Sequence, residues 1–278
     1  FEELFLTRPG LRLLREQREA DEEPRLIQKL DREGKMAFNQ AIKDLPFQLT
    51  GAQVRALKTV IQDLGRATPM NRLIQGDVGS GKTAVAALAM LHTVLAGKQA
   101  VMMAPTSVLA KQHLDSIRSL LPMLDKESIA LLTGQTRAAE RRELLAKLQS
   151  GEIKILIGTH ALLEDQVQFK ALGLAVTDEQ HRFGVNQRIQ LANEHQEEDP
   201  QQVSMFDDEA EPLRPHVLVM SATPIPRSLA LVFYGDLDIS VIDEIPKGRL
   251  PVETYTARSK DIQRVYRLMR KQIQRGGK

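Results

Sequence analysis

Residues 76 to 83 read GDVGSGKT, and this octapeptide limits what the chain can fold into more tightly than any other stretch. Gly76, Gly79, Gly81, Lys82 and Thr83 fill the pattern G-x-x-x-x-G-K-[ST]. Glycines let successive backbone N–H groups close around phosphate oxygens, and a helix start adds the positive end of its dipole. The pattern carries that meaning only between a strand and a helix. NRLIQ (71–75) supplies the strand, and TAVAALAMLHTVLAG supplies an apolar-faced helix that ends at Gly97. A glycine turn with a chance Lys-Thr would not explain both flanks. Lys82 is thus expected to reach the β- and γ-phosphates of a nucleotide and the Thr83 hydroxyl to ligate Mg²⁺, with Asp77 and Ser80 in the same loop.

Beyond the loop, short apolar runs alternate with longer helical stretches. QAVMMAP (99–105) reads as a buried strand stopped by proline, and SVLAKQHLDSIRSLL as the helix after it. ESIALLTG, the helix RAAERRELLAKLQSG and the strand IKILIGT (153–159) continue the rhythm. LGLAVTDE (172–179) and HVLVMSAT (216–223) add two further apolar runs. Strands separated by helices of this length imply βαβ crossovers and a parallel sheet buried on both faces. The expected fold class is α/β, a P-loop NTPase lobe with a mostly parallel sheet flanked by helices.

A phosphate loop of this kind also needs a carboxylate for its metal. LAVTDEQHRFG (174–184) delivers Asp178 and Glu179 at the carboxyl end of an apolar strand, where open α/β sheets bind ligands. Asp178 is expected to hold Mg²⁺ and Glu179 to activate the attacking water. An isolated Asp-Glu is more often a solvated strand end. Downstream of a P-loop it reads as the hydrolytic pair.

Composition excludes several classes. There is no cysteine, so no disulfide and no thiolate metal site. The opening FEELFLTRPG lacks the apolar core of a secretory signal, and no apolar run approaches the roughly 20 residues that span a bilayer. A net charge of +2 over 278 residues does not by itself argue for nucleic acid. A soluble, cytoplasmic protein is the expectation.

Taken together, GDVGSGKT, DEQHRFGV and MSATPIPR resemble the motifs of superfamily 2 helicases and translocases, and among them the bacterial RecG branch. The resemblance covers roughly residues 45 to 278, and the ordered set is far more specific than any one motif. It implies a RecA-like lobe using ATP and Mg²⁺, working on branched or forked double-stranded DNA in recombination and repair, at the bacterial nucleoid. FQLTGAQ (47–53) looks like the adenine-reading segment, with Gln53 bonding the base and Phe47 stacking on it. The residues alone also allow a helix N-cap at Thr50 with Gln53 as its capping-box partner, and both roles could hold. APTSVLAKQH (104–113), LTGQT (132–136) and GTHALL (158–163) resemble the DNA-facing motifs. They point to Thr106, Ser107, Thr133, Gly134, Thr159 and His160, although each alone is an ordinary loop after a strand. Ser221, Ala222 and Thr223 match the motif coupling hydrolysis to DNA grip, and His181 would link it to the γ-phosphate.

The same resemblance divides the chain. Residues 1–44, dense in charge with Leu at helical intervals, are expected to be a helical linker from an upstream wedge domain, with Pro24 starting a helix. Residues 45–250 would form the first RecA-like lobe and 251–278 the start of a second, truncated one. Such motors close two lobes over ATP, the second supplying an arginine finger, so the 278-residue chain alone is expected to turn over little ATP. Segment 193–215 has eight acidic residues against one Arg and reads as a surface insertion. Within it Gln202–Phe206 (QVSMF) resembles peptides that dock on the bacterial sliding clamp. Two other readings stay open: a Mfd-like transcription-repair coupling translocase, and a nucleotide-dependent switch or binding module without motor activity.

Overall fold

The structure is a computed structural model describing residues 28–164, 166–178, 215–222, 237–244, 256–258 and 261–274. Seven strands form one sheet: β1 (Asn71–Gly76), β2 (Gln99–Met103), β3 (Ile129–Leu132), β4 (Ile155–Gly158), β5 (Leu172–Asp178), β6 (His216–Ser221) and β7 (Asp238–Ile242). Their spatial order is β3-β4-β2-β5-β6-β1-β7, and every pairing is parallel. Carboxyl ends therefore share one edge of the sheet.

Why these runs become central strands is visible in their burial. β2 and β4 are buried at every position and β5 at all but its two ends. Side chains alternate faces along a strand. Met102, Ile157 and Val176 accordingly enter one core, while Val101, Leu156 and Ala175 enter the other. Helices cover both cores, as a parallel sheet requires. The larger one takes α1 (Arg32–Lys43), α2 (Gly51–Leu64), α3 (Lys82–Leu95) and α4 (Ser107–Leu120). The smaller one takes α5 (Ala138–Ser150), through Leu144 and Leu148.

Helix α3 follows the phosphate loop and is more than apolar-faced. Every residue from Ala84 to Thr93 is buried, so it runs through the protein rather than along its surface. Its His92 meets the ring of Phe38 edge-on at 5.6 Å, and Phe38 and Ala41 bring α1 into the same core. The part of the expected linker that is described thus packs on the lobe itself.

Strand β7 was not anticipated, since DISVI is half polar and lies at the sheet margin. A buried cation holds it there. Arg72 on β1 donates from Nε to Asp63 on α2 (2.6 Å), from one terminal nitrogen to Ser240 (3.0 Å) and from the other to Asp238 (3.2 Å). A buried guanidinium is tolerated when its donors are satisfied this fully.

The chain forms two compact units, Phe1–Pro246 and Lys247–Lys278. The second contains α6 (Ile262–Gln274), a basic helix with Ile262, Tyr266, Met269 and Ile273 at helical spacing.

Candidate functional site: the carboxyl edge of the sheet

The phosphate loop leaves β1 at Gly76 and enters α3 at Lys82. Gly81 caps that helix with φ 84°; its carbonyl takes the amides of Ala84 and Val85, but it offers no side chain to those of Lys82 and Thr83. No acidic residue occupies the first turn. A helix start left in this state is an anion site. Gly81 is required twice over: its φ is left-handed, and a Cβ would lie 2.1 Å from Gln53 Nε2. Ser80, beside it, is buried with its hydroxyl lacking a protein partner.

Lys82 donates from Nζ to the carbonyls of Gly76 (2.7 Å) and Asp77 (3.0 Å). Burial pulls its pKa below the usual lysine value, and the carboxylates of Asp178 and Asp77 oppose that shift by favouring the charged form. The charge of Asp178, at the end of β5, thus acts on the loop lysine. With Thr83 in the first turn of α3 and Asp178 at the end of β5, a hydroxyl and a carboxylate, oxygen donors of the kind Mg²⁺ takes, stand at this edge.

Both sequence readings of Gln53 concern a residue whose side-chain amide the fold engages at both ends. Thr50 caps α2 through its hydroxyl, accepting from Gln53 N at 3.2 Å, while Gln53 Oε1 accepts from Thr50 N at 2.9 Å. Its Nε2 donates to Ser80 O at 2.7 Å, which fastens α2 to the phosphate loop. Gln53 is only 1% exposed, whereas Phe47 stands 43% exposed ahead of the helix. Glu244, just beyond β7, takes hydrogen bonds from the amides of Ala52 and Gly51, chiefly the first, and these lower its pKa. The unanticipated strand thereby helps to hold the start of α2.

The three expected DNA-facing groups come from adjacent strands. Thr106, after β2, caps α4 by accepting from Leu109 N at 3.3 Å, with Ser107 in the first turn. Thr133, after β3, is buried, and its hydroxyl accepts from Gln135 N at 3.3 Å; it shapes the turn that presents Gly134. A Cβ on Gly134 would meet nothing within 4 Å, so the lobe itself does not require glycine there. Gly158 is the opposite case, since its Cβ would strike Leu132 O at 2.1 Å. That contact lets β4 sit close to β3 and sends Thr159 and His160 out of the edge, His160 exposed.

Ser221 ends β6, between the loop strand and the Asp178 strand, and is buried, with Ala222 directly after it. Glu179, His181 and Thr223 lie outside the described residues, as do Pro24 and the acidic segment through 214 with Gln202–Phe206.

One residue of the edge has no expectation attached to it. His113 of α4 puts Nε2 2.7 Å from Asp178 Oδ2. It belongs to the buried stripe Ala110, His113, Leu114, Ile117, and a polar residue in an inward-facing stripe was the available signal.

A profile of the DEAD/DEAH box helicases matches residues 50–232. The chain belongs to that family. This helicase lobe is 45% identical to the ATP-dependent DNA helicase RecG of Bacillus subtilis, over 99% of this chain and 37% of the relative. To RecG of Thermotoga maritima it is also 45% identical, over 100% of this chain and 33% of the relative. Among solved structures, RecG bound to a three-way DNA junction superposes with TM-score 0.79 at 40% identity, covering 99% of this chain and 34% of that one. The DEAD-box helicase Mss116 bound to single-stranded RNA shares the fold, with TM-score 0.52 at 21% identity over 78% of this chain and 44% of that one. The helicase lobe spans about a third of the length of the RecG relatives it matches. The fold is the RecA-like lobe expected from the motifs.

Proposed function

We propose that this lobe is the ATP-hydrolysing half of a motor that translocates on double-stranded DNA and remodels branched DNA such as stalled forks, in the manner of the RecG relatives. One observation carries the reading. A single sheet edge holds a phosphate loop with its metal carboxylate on β1 and β5, and three groups suited to gripping a nucleic-acid backbone on β2, β3 and β4. The similarity to a RecG structure on a three-way junction supports branched DNA as the substrate.

The loop amides and Lys82 hold the β- and γ-phosphates; Lys82 exchanges the Gly76 and Asp77 carbonyls for phosphate oxygens. Thr83 and Asp178 would hold Mg²⁺, which would supply positive charge against that developing on the phosphate oxygens. Glu179 takes the proton of the attacking water as the water oxygen bonds the γ-phosphorus and the bond to the β–γ bridging oxygen breaks, releasing ADP and phosphate. Gln53 has one N–H and one lone pair unspent, and offers these to adenine while still fastening the loop; Phe47 stacks on the base. Thr106, Ser107, Thr133, Gly134, Thr159 and His160 grip the DNA backbone by shape and charge rather than by sequence. Ser221 to Thr223 relay the state of the γ-phosphate sensed by His181. Such a motor works in the bacterial cytoplasm, at the nucleoid.

Steady-state ATP turnover of the full-length protein, with no DNA, linear duplex and forked duplex, tests the reading. Forked DNA should stimulate turnover most. Glu179→Gln should bind ATP and Mg²⁺ nearly as the wild type while hydrolysing very slowly, and Asp178→Asn should weaken Mg²⁺-dependent binding. Turnover indifferent to every DNA would make the protein a nucleotide-dependent switch instead.

A further inference from the structure

The edge is divided into a DNA half, β3-β4-β2, and a nucleotide half, β6-β1, with β5 at the boundary. Helix α4 belongs to the DNA half: it starts at Thr106, directly after β2, and packs on β3 and β4. His113 is the point at which this helix touches the metal carboxylate. Both side chains are largely enclosed, 11% and 18% exposed, and the residues lie 65 positions apart in sequence.

The chemistry of the contact is constrained. An ionised carboxylate only accepts, so Nε2 must carry the hydrogen. Oδ2 of Asp178 is thereby engaged by α4, which leaves Oδ1 as the oxygen a metal would take. Groups bonded to a metal-ligating carboxylate fix its orientation, and losing one typically costs about 10- to 100-fold in metal affinity or activity. A helix is also stiff along its axis. His113 lies six residues into α4, roughly 9 Å from the helix start at a rise of about 1.5 Å per residue. A displacement of the helix start by a bound backbone is therefore delivered to the Asp178 carboxylate with little loss.

We propose that His113 is a positioning residue that ties the DNA-gripping helix α4 to the Mg²⁺-binding carboxylate of Asp178, so that DNA seated at Thr106 aligns the metal ligand for hydrolysis. The proposal rests on the motor reading for its DNA arm, and its metal arm rests on the hydrogen bond together with the assignment of Asp178 as the Mg²⁺ carboxylate. It separates two properties that a merely packed histidine would leave alone. The Mg²⁺ requirement of the ATPase should depend on the donor at residue 113, and so should the factor by which DNA raises kcat.

The test uses the full-length protein as wild type, His113→Leu, which keeps bulk without a donor, and His113→Gln, whose amide N–H can reach the same oxygen. Turnover is titrated with Mg²⁺ at saturating ATP, with and without forked DNA. DNA affinity without nucleotide is measured by fluorescence anisotropy. His113→Leu should need about tenfold more Mg²⁺ and lose most of the DNA stimulation, with DNA affinity within about twofold of wild type. His113→Gln should recover most of both. Adding His113→Leu to Asp178→Asn should change little further, because the two act through one contact. If His113→Leu does not fold, a His113→Gln protein that folds but has lost Mg²⁺ dependence and DNA stimulation as fully as Asp178→Asn overturns the proposal. It is also overturned if His113→Leu keeps the wild-type Mg²⁺ curve and DNA stimulation. A wild-type protein insensitive to DNA would refute the motor reading separately, and the Mg²⁺ titration would still decide the His113 contact.

Discussion

Gly81→Ala exposes how the phosphate loop is built. The residue has φ 84°, and its new Cβ would stand 2.1 Å from Gln53 Nε2. A left-handed residue with a Cβ costs about 1 to 2 kcal/mol. Gln53 must also withdraw, giving up the 2.7 Å bond to Ser80 O and the 2.9 Å bond from Thr50 N. Each such bond is worth roughly 0.5 to 1.5 kcal/mol net. The total is roughly 2 to 5 kcal/mol, which in a lobe of this size lowers the melting temperature by on the order of 10 °C. Gly134→Ala is the matched control: its Cβ meets nothing within 4 Å, so its melting temperature should move by no more than about 2 °C.

Differential scanning calorimetry of the 278-residue chain reads both variants, with and without a non-hydrolysable ATP analogue and Mg²⁺. Gly81→Ala should melt early and gain nothing from the analogue, because a ligand stabilises only the state that binds it. Gly134→Ala should melt and respond as the wild type. A Gly81→Ala protein melting within about 2 °C of wild type would refute the strain argument and the Gln53 buttress together.

Two further outcomes are expected. Lys82→Ala should abolish the rise in melting temperature caused by the ATP analogue, while lowering the ligand-free value only by the few degrees that about 1 kcal/mol of lost hydrogen bonding implies. His92 adds acid sensitivity to the fold. Burial, and then repulsion from His216, lower its pKa to about 4 from 6.5. Its stabilising influence is whole above pH 6.5 and is lost as the pH falls towards 4, where the unfolded chain binds a proton that the fold refuses. Urea unfolding at pH 5 should show a loss of about 2 kcal/mol from this group, and His92→Leu should flatten that slope.

The central strands were legible because strands buried on both faces are written as unbroken apolar runs, and QAVMM and ILIG allow no other economical reading. The phosphate loop was legible because its residue types and its flanks are both local. Strand β7 was not, since DISVI is held by a guanidinium whose partners at 238 and 240 lie 166 and 168 residues away. The same distance effect hid His113, whose meaning depends on Asp178 rather than on its helix. Gln53 is intermediate: its capping box could be read locally, and its bond to Ser80 could not.

Folding also reorders the motifs. Along the chain the phosphate loop comes first, then the groups at 106, 133, 159, 178 and 221. Along the edge the order becomes 133, 159, 106, 178, 221 and the loop. Adjacent strands are about 4.8 Å apart, so β1 and β2 stand roughly 14 Å from each other, beyond the reach of any direct side-chain contact. Through the strands alone, a signal between phosphate and DNA crosses β6 and β5, whose edge residues are Ser221 and Asp178, while α3 also packs directly on β2 and α4. From Asp178 the described contact into the DNA half is the hydrogen bond of His113. The strand route predicts that substitutions at 113, 178 and 221 uncouple hydrolysis from DNA in the same way. Substitutions at Thr106 or Gly134 should weaken DNA grip while leaving DNA-free turnover intact.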